Sequence, residues 1–301
     1  MHLTRRRLLE GLALSFAAAP ALSACANTPE AIANSTEWTT HEVASIADGA
    51  RIVYHVAGNG PPLVIVHGGS TTSVPYRPLA DLLKDRYRVA LVERRNYTIS
   101  ESRLENHLFD QDGGDVISVA RRLGERVYLF GHSGGALSAM YGARAHPNNV
   151  RALALYEPPL TAGGTIDAIL AEIHRLEAAG QVEEAVIYGY IHIVGLPEPV
   201  ARGMMDARRD FLMPLAPGSI SDVEALAVVD SRPDSWRGLT MPTLLIEGEL
   251  SAPHPLRDSM ALLRQVVPQN QFVTLAGQGH SATATEPAVV AQHLSDFFAA
   301  H

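Results

Sequence analysis

Val127-Tyr128-Leu129-Phe130-Gly131-His132-Ser133-Gly134-Gly135-Ala136 is an apolar run that stops at a serine fenced by glycines and continues into residues of helical character. It reads as strand, sharp turn, helix. In such a turn the serine adopts a strained backbone angle, and the residues two before and two after it must be small because strand and helix approach closely. Gly131 and Gly135 hold those positions. The turn lifts the Ser133 hydroxyl above the end of a sheet and sets it at a helix N-terminus, where unpaired amides favour developing negative charge. A bare Gly-x-Ser-x-Gly match is only moderately specific, so the surrounding chain must supply the sheet, a base and an oxyanion site.

Upstream, Leu63-Val64-Ile65-Val66 is continuously apolar, as in a strand buried on both faces, and runs directly into His67-Gly68-Gly69-Ser70. Tetrahedral intermediates of acyl transfer need two amide donors, one just after the nucleophile and one from a loop beside it. Gly134 fits the first role and Gly69 the second, with Ser70 the neighbouring alternative; His67 reads as an orienting residue of the loop rather than a base. Residues 41–47 and 51–57, split by Asp48-Gly49, form an antiparallel strand pair, and 88–92 is another buried strand. Residues 79–84 and 110–123 are helical, the second with Val116, Val119, Ala120 and Leu123 on one face. Buried strands alternating with helices demand an α/β fold: a mostly parallel sheet covered on both faces, with ligands bound beyond the carboxyl ends of its strands.

The strand at 151–156 ends in Glu157-Pro158-Pro159, and the pattern then changes. Across 160–236 helical segments at 166–179, 182–194 and 199–211 follow one another with no buried strand between them, which marks an inserted helical cap. Its Ile187, Tyr190, Ile193, Met204, Met205, Phe211 and Leu212 divide between the cap's own core and the lining of a pocket. A strand at 241–246, a helix at 256–267, a strand at 271–275 and a helix at 287–299 complete the chain. Gly277-Gln278-Gly279-His280-Ser281 lies between the last two. A histidine on a glycine-flanked loop after the final strand reaches the active edge of the sheet, which makes His280 the general base.

With Ser133 on its turn, His67-Gly68-Gly69 before it and His280 late in the chain, the sequence resembles the α/β-hydrolase superfamily over residues 40–301. The resemblance implies an eight-stranded sheet, a cap inserted after the sixth strand and the order nucleophile, acid, histidine. By position it makes Ser133 the nucleophile, His280 the base and then the acid, and Gly69 and Gly134 the oxyanion donors. The family's common aspartate after the seventh strand is missing: Ile246-Glu247-Gly248-Glu249-Leu250-Ser251 puts Ser251 at that position. A serine cannot stabilise an imidazolium by charge. Glu157, at the end of the sixth strand where a subset of the superfamily carries its acid, is the replacement; Glu249 is the alternative, and Asp258 a weaker one. A serine nucleophile also argues against the alkyl-enzyme route of relatives with an aspartate at this turn.

The formal charge of −8 and the lack of a basic patch after the leader exclude nucleic acid as a main partner, and no metal-ligand cluster or dinucleotide loop suggests a cofactor. Thr4-Arg5-Arg6-Arg7-Leu8-Leu9 followed by an apolar stretch reads as a twin-arginine-like export signal over residues 1–24. Leu22-Ser23-Ala24-Cys25 resembles a bacterial lipobox, and Cys25 is the single cysteine, so two outcomes are open: lipidation of Cys25 and membrane anchoring, or plain cleavage nearby. Loss of 1–24 takes three arginines and one glutamate away from −8 and leaves −10. Residues 25–40 are a tether, 41–159 and 237–301 the hydrolase core, and 160–236 the cap. The chain therefore reads as an exported periplasmic or cell-envelope serine hydrolase acting on a small-molecule carboxylic ester or lactone of apolar character. Amides or carbon–carbon bonds, and a non-catalytic ligand-binding protein on the same fold, are the alternatives.

Overall fold

The computed structural model describes residues 37–124, 126–160 and 165–301. The expected export signal, Cys25 and residues 25–36 of the tether lie outside the described residues. Eight strands form one sheet: β1 (Thr39–Ala44), β2 (Arg51–Ala57), β3 (Pro62–Val66), β4 (Arg88–Val92), β5 (Val127–His132), β6 (Val150–Tyr156), β7 (Thr243–Gly248) and β8 (Asn270–Leu275). Their spatial order is β1-β2-β4-β3-β5-β6-β7-β8. β2 pairs antiparallel with β1 and β4, and every other pairing is parallel.

Around it lie α1 (Arg77–Leu83), α2 (Phe109–Leu123) and α3 (Gly134–Ala145). Four further helices, α4 (Thr165–Ala178), α5 (Val182–Gly189), α6 (Glu198–Leu212) and α7 (Ala216–Leu226), follow between β6 and β7, and α8 (Asp258–Val266), α9 (Ala282–Thr285) and α10 (Pro287–Ala299) close the chain. Leu79 and Leu83 of α1 and Val290, Leu294 and Phe298 of α10 pack on one face of the sheet. Val116 and Ile117 of α2, Leu137 and Met140 of α3 and Leu263 of α8 pack on the other. The central strands β3, β5, β6 and β7 are buried almost throughout, which is why they read as unbroken apolar runs rather than alternating ones.

The cap has a small core of its own around Ile187, Leu196, Ala201 and Met205. α5 continues through a wider helical turn at Tyr190–Val194, so the segment expected as one helix at 182–194 is helical to its end but changes pitch. α7 was not foreseen. It begins Ala216-Pro217-Gly218, residues that read as a loop, yet proline is tolerated in the first helical turn because the amide it lacks has no intrahelical partner there. A Cβ on Gly218 would lie 2.5 Å from the Asn96 carbonyl, so α7 presses against the loop that leaves β4. That contact brings the cap down onto the carboxyl edge of the sheet.

Candidate active site

Ser133 caps α3 with φ 54° and ψ −126°, a conformation costly for any residue with a Cβ. Its amide donates to the Tyr156 carbonyl at 2.8 Å, tying the turn to β6. A Cβ on Gly131 would lie 2.5 Å from the Gly135 carbonyl, and one on Gly135 would lie 2.2 Å from the His67 carbonyl. Both positions are closed to any larger residue, for the close-approach reason the sequence suggested.

The loop after β3 meets this turn. The position a Cβ would take on Gly134 is 3.6 Å from the Gly69 amide nitrogen, so the two glycine backbones adjoin. Among the described residues the Gly69 amide has no protein acceptor, whereas its neighbours are committed: Gly68 donates to Tyr76 Oη at 3.0 Å and Ser70 to Tyr97 Oη at 3.3 Å. Gly134 opens α3, where the first amides have no intrahelical partner. His67 is buried with both ring nitrogens engaged, Nδ1 donating to the Gly68 carbonyl at 2.7 Å and Nε2 accepting from the Arg94 amide at 3.1 Å. Burial pushes its pKa down to about 4, so it is neutral.

His280 stands on the loop between β8 and α9. Its Nδ1–H donates to Glu157 Oε2 at 2.6 Å, and Glu157 Oε1 accepts the Gly248 amide of β7 at 2.7 Å. Glu157 is fully buried and has φ 47°, a second strained residue at the tip of β6. Because Nδ1 carries the proton shared with the carboxylate, Nε2 is the basic nitrogen. Glu249 goes elsewhere: its Oε2 accepts the Gly277 amide at 2.7 Å. Ser251 is buried with no partner for its Oγ among the described residues, and a Cβ on Gly248 would sit 2.7 Å from that oxygen. The carboxylate reaching Gly248 from β6 thus stands beside the seventh-strand position where an aspartate is absent.

Sequence reading missed the bracing around this pair. His132 Nε2–H donates to the His280 carbonyl at 2.8 Å, its Nδ1 accepts from Tyr76 Oη at 2.5 Å, and Tyr76 Oη in turn accepts the Gly68 amide. Tyr156 Oη donates to the Gly279 carbonyl. One chain of hydrogen bonds therefore links the Gly68–Gly69 loop, the end of β5 and the His280 loop. Burial and the neighbouring His280 hold the His132 pKa well below the usual histidine range, which keeps it a one-donor, one-acceptor brace.

A second missed group lies behind the two glycines. Arg94 donates Nε–H and Nη2–H to Asp112 Oδ2 at 3.1 and 2.6 Å, and Nη1–H and Nη2–H to Asp222 at 2.9 and 2.8 Å. Tyr97 Oη donates to Asp222 Oδ2 at 2.6 Å. Asp222 belongs to α7, so the cap is tied through Arg94 to Asp112 of α2. His107, Asp112 and Asp222 offer ligand atoms within 4.8 Å of one another, but the Arg94 guanidinium already supplies the cation that this cluster needs.

Ser133, His280, Gly69 and Gly134 line one cavity of about 250 Å³. Tyr190, Ile193, Met204 and Leu212 close it from the cap, whereas Ile187 and Met205 lie in the cap's interior. The arrangement holds a strained serine, a histidine with its distal nitrogen on a buried carboxylate and two converging amides, the parts that acyl transfer uses.

The sequence profile described as the alpha/beta hydrolase family matches residues 63–293. The 2-(acetamidomethylene)succinate hydrolase of Mesorhizobium japonicum is 23% identical over 271 residues, covering 85% of this chain and 95% of that protein. The pimeloyl-[acyl-carrier protein] methyl ester esterase of Aeromonas hydrophila is 27% identical over 240 residues, 76% of this chain and 92% of the relative. Among solved structures, an alpha/beta hydrolase from Sphaerobacter thermophilus superposes with a TM-score of 0.74 at 24% identity, over 86% of this chain and all of that one. With the profile spanning most of the chain and the sheet order, turn and cap in place, this chain belongs to the alpha/beta hydrolase family.

Proposed function

We propose that this chain is a serine hydrolase that cleaves a small carboxylic ester or lactone through an acyl-enzyme. The observation that carries the reading is the 2.6 Å bond between His280 Nδ1 and Glu157 Oε2 in the cavity that Ser133 lines. Ser133 Oγ attacks the carbonyl carbon as its proton passes to His280 Nε2, and Glu157 stabilises the imidazolium and fixes its tautomer. The amides of Gly69 and Gly134 hold the oxyanion. Collapse of the intermediate expels the alcohol, which takes the proton from His280. Water then attacks the acyl-enzyme, giving its proton to His280, and the acid departs as Ser133 recovers its hydrogen. The relatives named for an esterase and for a hydrolase support this class of chemistry.

Ser133→Ala and His280→Ala should each abolish turnover of a 4-nitrophenyl ester while the circular-dichroism spectrum stays that of the parent. Parental activity in the Ser133→Ala protein would sink the reading. We also propose that the domain is exported and held at a membrane by lipid on Cys25, on the order of basic, apolar and small residues before that cysteine. No helix among the described residues is long and apolar enough to cross a membrane. Incorporation of labelled palmitate by the full chain, lost in Cys25→Ala, is the expected result; equal labelling of both proteins counts against it.

A further inference from the structure

The cavity is mainly apolar, yet its cap side carries one permanent charge that no described residue pairs in a salt bridge. Arg208 lines it from α6, at a point where the backbone leaves helical values (φ −134°, ψ 22°). The other arginines of the last three turns are paired: Arg202 with Glu184 and Glu198 at 2.9 Å each, and Arg209 with Glu183. Arg208 is exposed, takes part in no ion pair among the described residues, and stands 4.8 Å from the Phe211 ring centroid. Stacking of this kind steadies a guanidinium without neutralising it. Asp222, the carboxylate on the cavity wall, is already satisfied by Arg94 and Tyr97, so it is not the missing partner.

Hydroxyl groups accompany this charge. Tyr190 and Ser70 line the same cavity, and Ser70 Oγ donates to Ser219 Oγ at 2.8 Å. The Tyr190 phenol is close enough to both Ser70 and Arg208 that each acts on its ionisation. Ser70 follows Gly69, so this polar edge runs from the cap to the loop beside Ser133. Ser70 spends its proton on Ser219, which leaves the Tyr190 phenol as the O–H donor beside the guanidinium; that pair matches a carboxylate, which takes two parallel N–H donors and a further O–H donor on a remaining lone pair.

We propose that Arg208, with the hydroxyl of Tyr190, binds a carboxylate that the substrate carries at the end remote from its scissile bond, so that the preferred substrates are half-esters of dicarboxylic acids. This rests on the serine-hydrolase reading and sharpens it: the bound ester is apolar along its length and anionic at its cap end. The scissile carbonyl lies over Ser133 on the core side, and the anion meets α6 on the other.

The test compares mono-4-nitrophenyl glutarate with 4-nitrophenyl pentanoate, using the full chain and its Arg208→Gln variant. The ratio of kcat/KM for the anionic to the neutral ester should fall roughly tenfold in the variant, mainly through KM, as expected for loss of a charge-assisted contact at a partly hydrated site. An unchanged ratio overturns the inference and leaves the hydrolase reading intact. Calorimetric titration of glutarate into Ser133→Ala, with and without Arg208→Gln, gives a readout free of turnover. If the parent protein hydrolyses neither ester, the hydrolase reading falls. Glutarate binding that requires Arg208 would then still support the carboxylate site, and binding that is absent or independent of Arg208 would overturn it.

Discussion

Glu157 combines two properties rarely tolerated together, complete burial of a carboxylate and a left-handed backbone without glycine. Each carboxylate oxygen has a donor, His280 Nδ1–H on one and the Gly248 amide on the other, which offsets the loss of water. Glu249, exposed and bonded to the Gly277 amide, makes no hydrogen bond or ion pair with the histidine among the described residues. Glu157→Gln should therefore lower kcat for an aryl ester by roughly a thousandfold or more, since an amide can hold His280 in the wrong tautomer. Glu249→Gln should change kcat by only a few fold, reflecting a loosened turn. Steady-state kinetics of the two variants checks this, and the reverse order would move the acid to the seventh-strand loop.

Among elements, the turn between β5 and α3 was the most legible in the sequence because its constraint is steric and local. Gly135→Ala would place a methyl carbon 2.2 Å from the His67 carbonyl, which is backbone and has no rotamer to yield. A loss of about 1–3 kcal/mol or more in urea denaturation is expected, with activity falling alongside as Ser133 shifts. Parental stability would show that strand and helix are not pressed together there. The strands were equally readable, because burial on both faces writes a continuous apolar run. α7 was not, since Ala216-Pro217-Gly218-Ser219 looks like a loop and only its packing on Asn96 and Tyr97 makes it a helix. Arg94 and Asp222 were invisible for a different reason: 128 positions separate them, and neither motif nor periodicity marks a pairing at that range. The brace through His132 and Tyr76 was hidden likewise, although a histidine directly before Ser133 was in plain view.

Across the molecule, the core carries Ser133, His280 and Glu157 and the cap closes over them, joined by a buried network centred on Arg94. The loops that converge on Ser133 are held by imidazoles that must remain neutral, which gives the whole fold a pH dependence. His67 titrates at about 4 when folded against about 6.5 when unfolded, and His132 is depressed in the same direction. The unfolded chain thus binds more protons between those values, so this stability is present in full above about pH 6.5 and is lost as pH falls toward 4. For His67 alone the loss is on the order of 3 kcal/mol. Urea midpoints measured from pH 7 to pH 4 should fall accordingly, and a flat profile would mean that these rings are hydrated or charged in the native state.

Activation of Ser133 by His280 is the claim on which the rest depends, and it separates an enzyme from a protein that only holds a ligand. Treatment of the full chain with a fluorophosphonate, followed by intact-mass and peptide analysis, reads it directly. The expected result is one adduct, on Ser133, absent in Ser133→Ala and slowed by orders of magnitude in His280→Ala. An unlabelled parent protein, or labelling that persists unchanged without His280, would contradict the account.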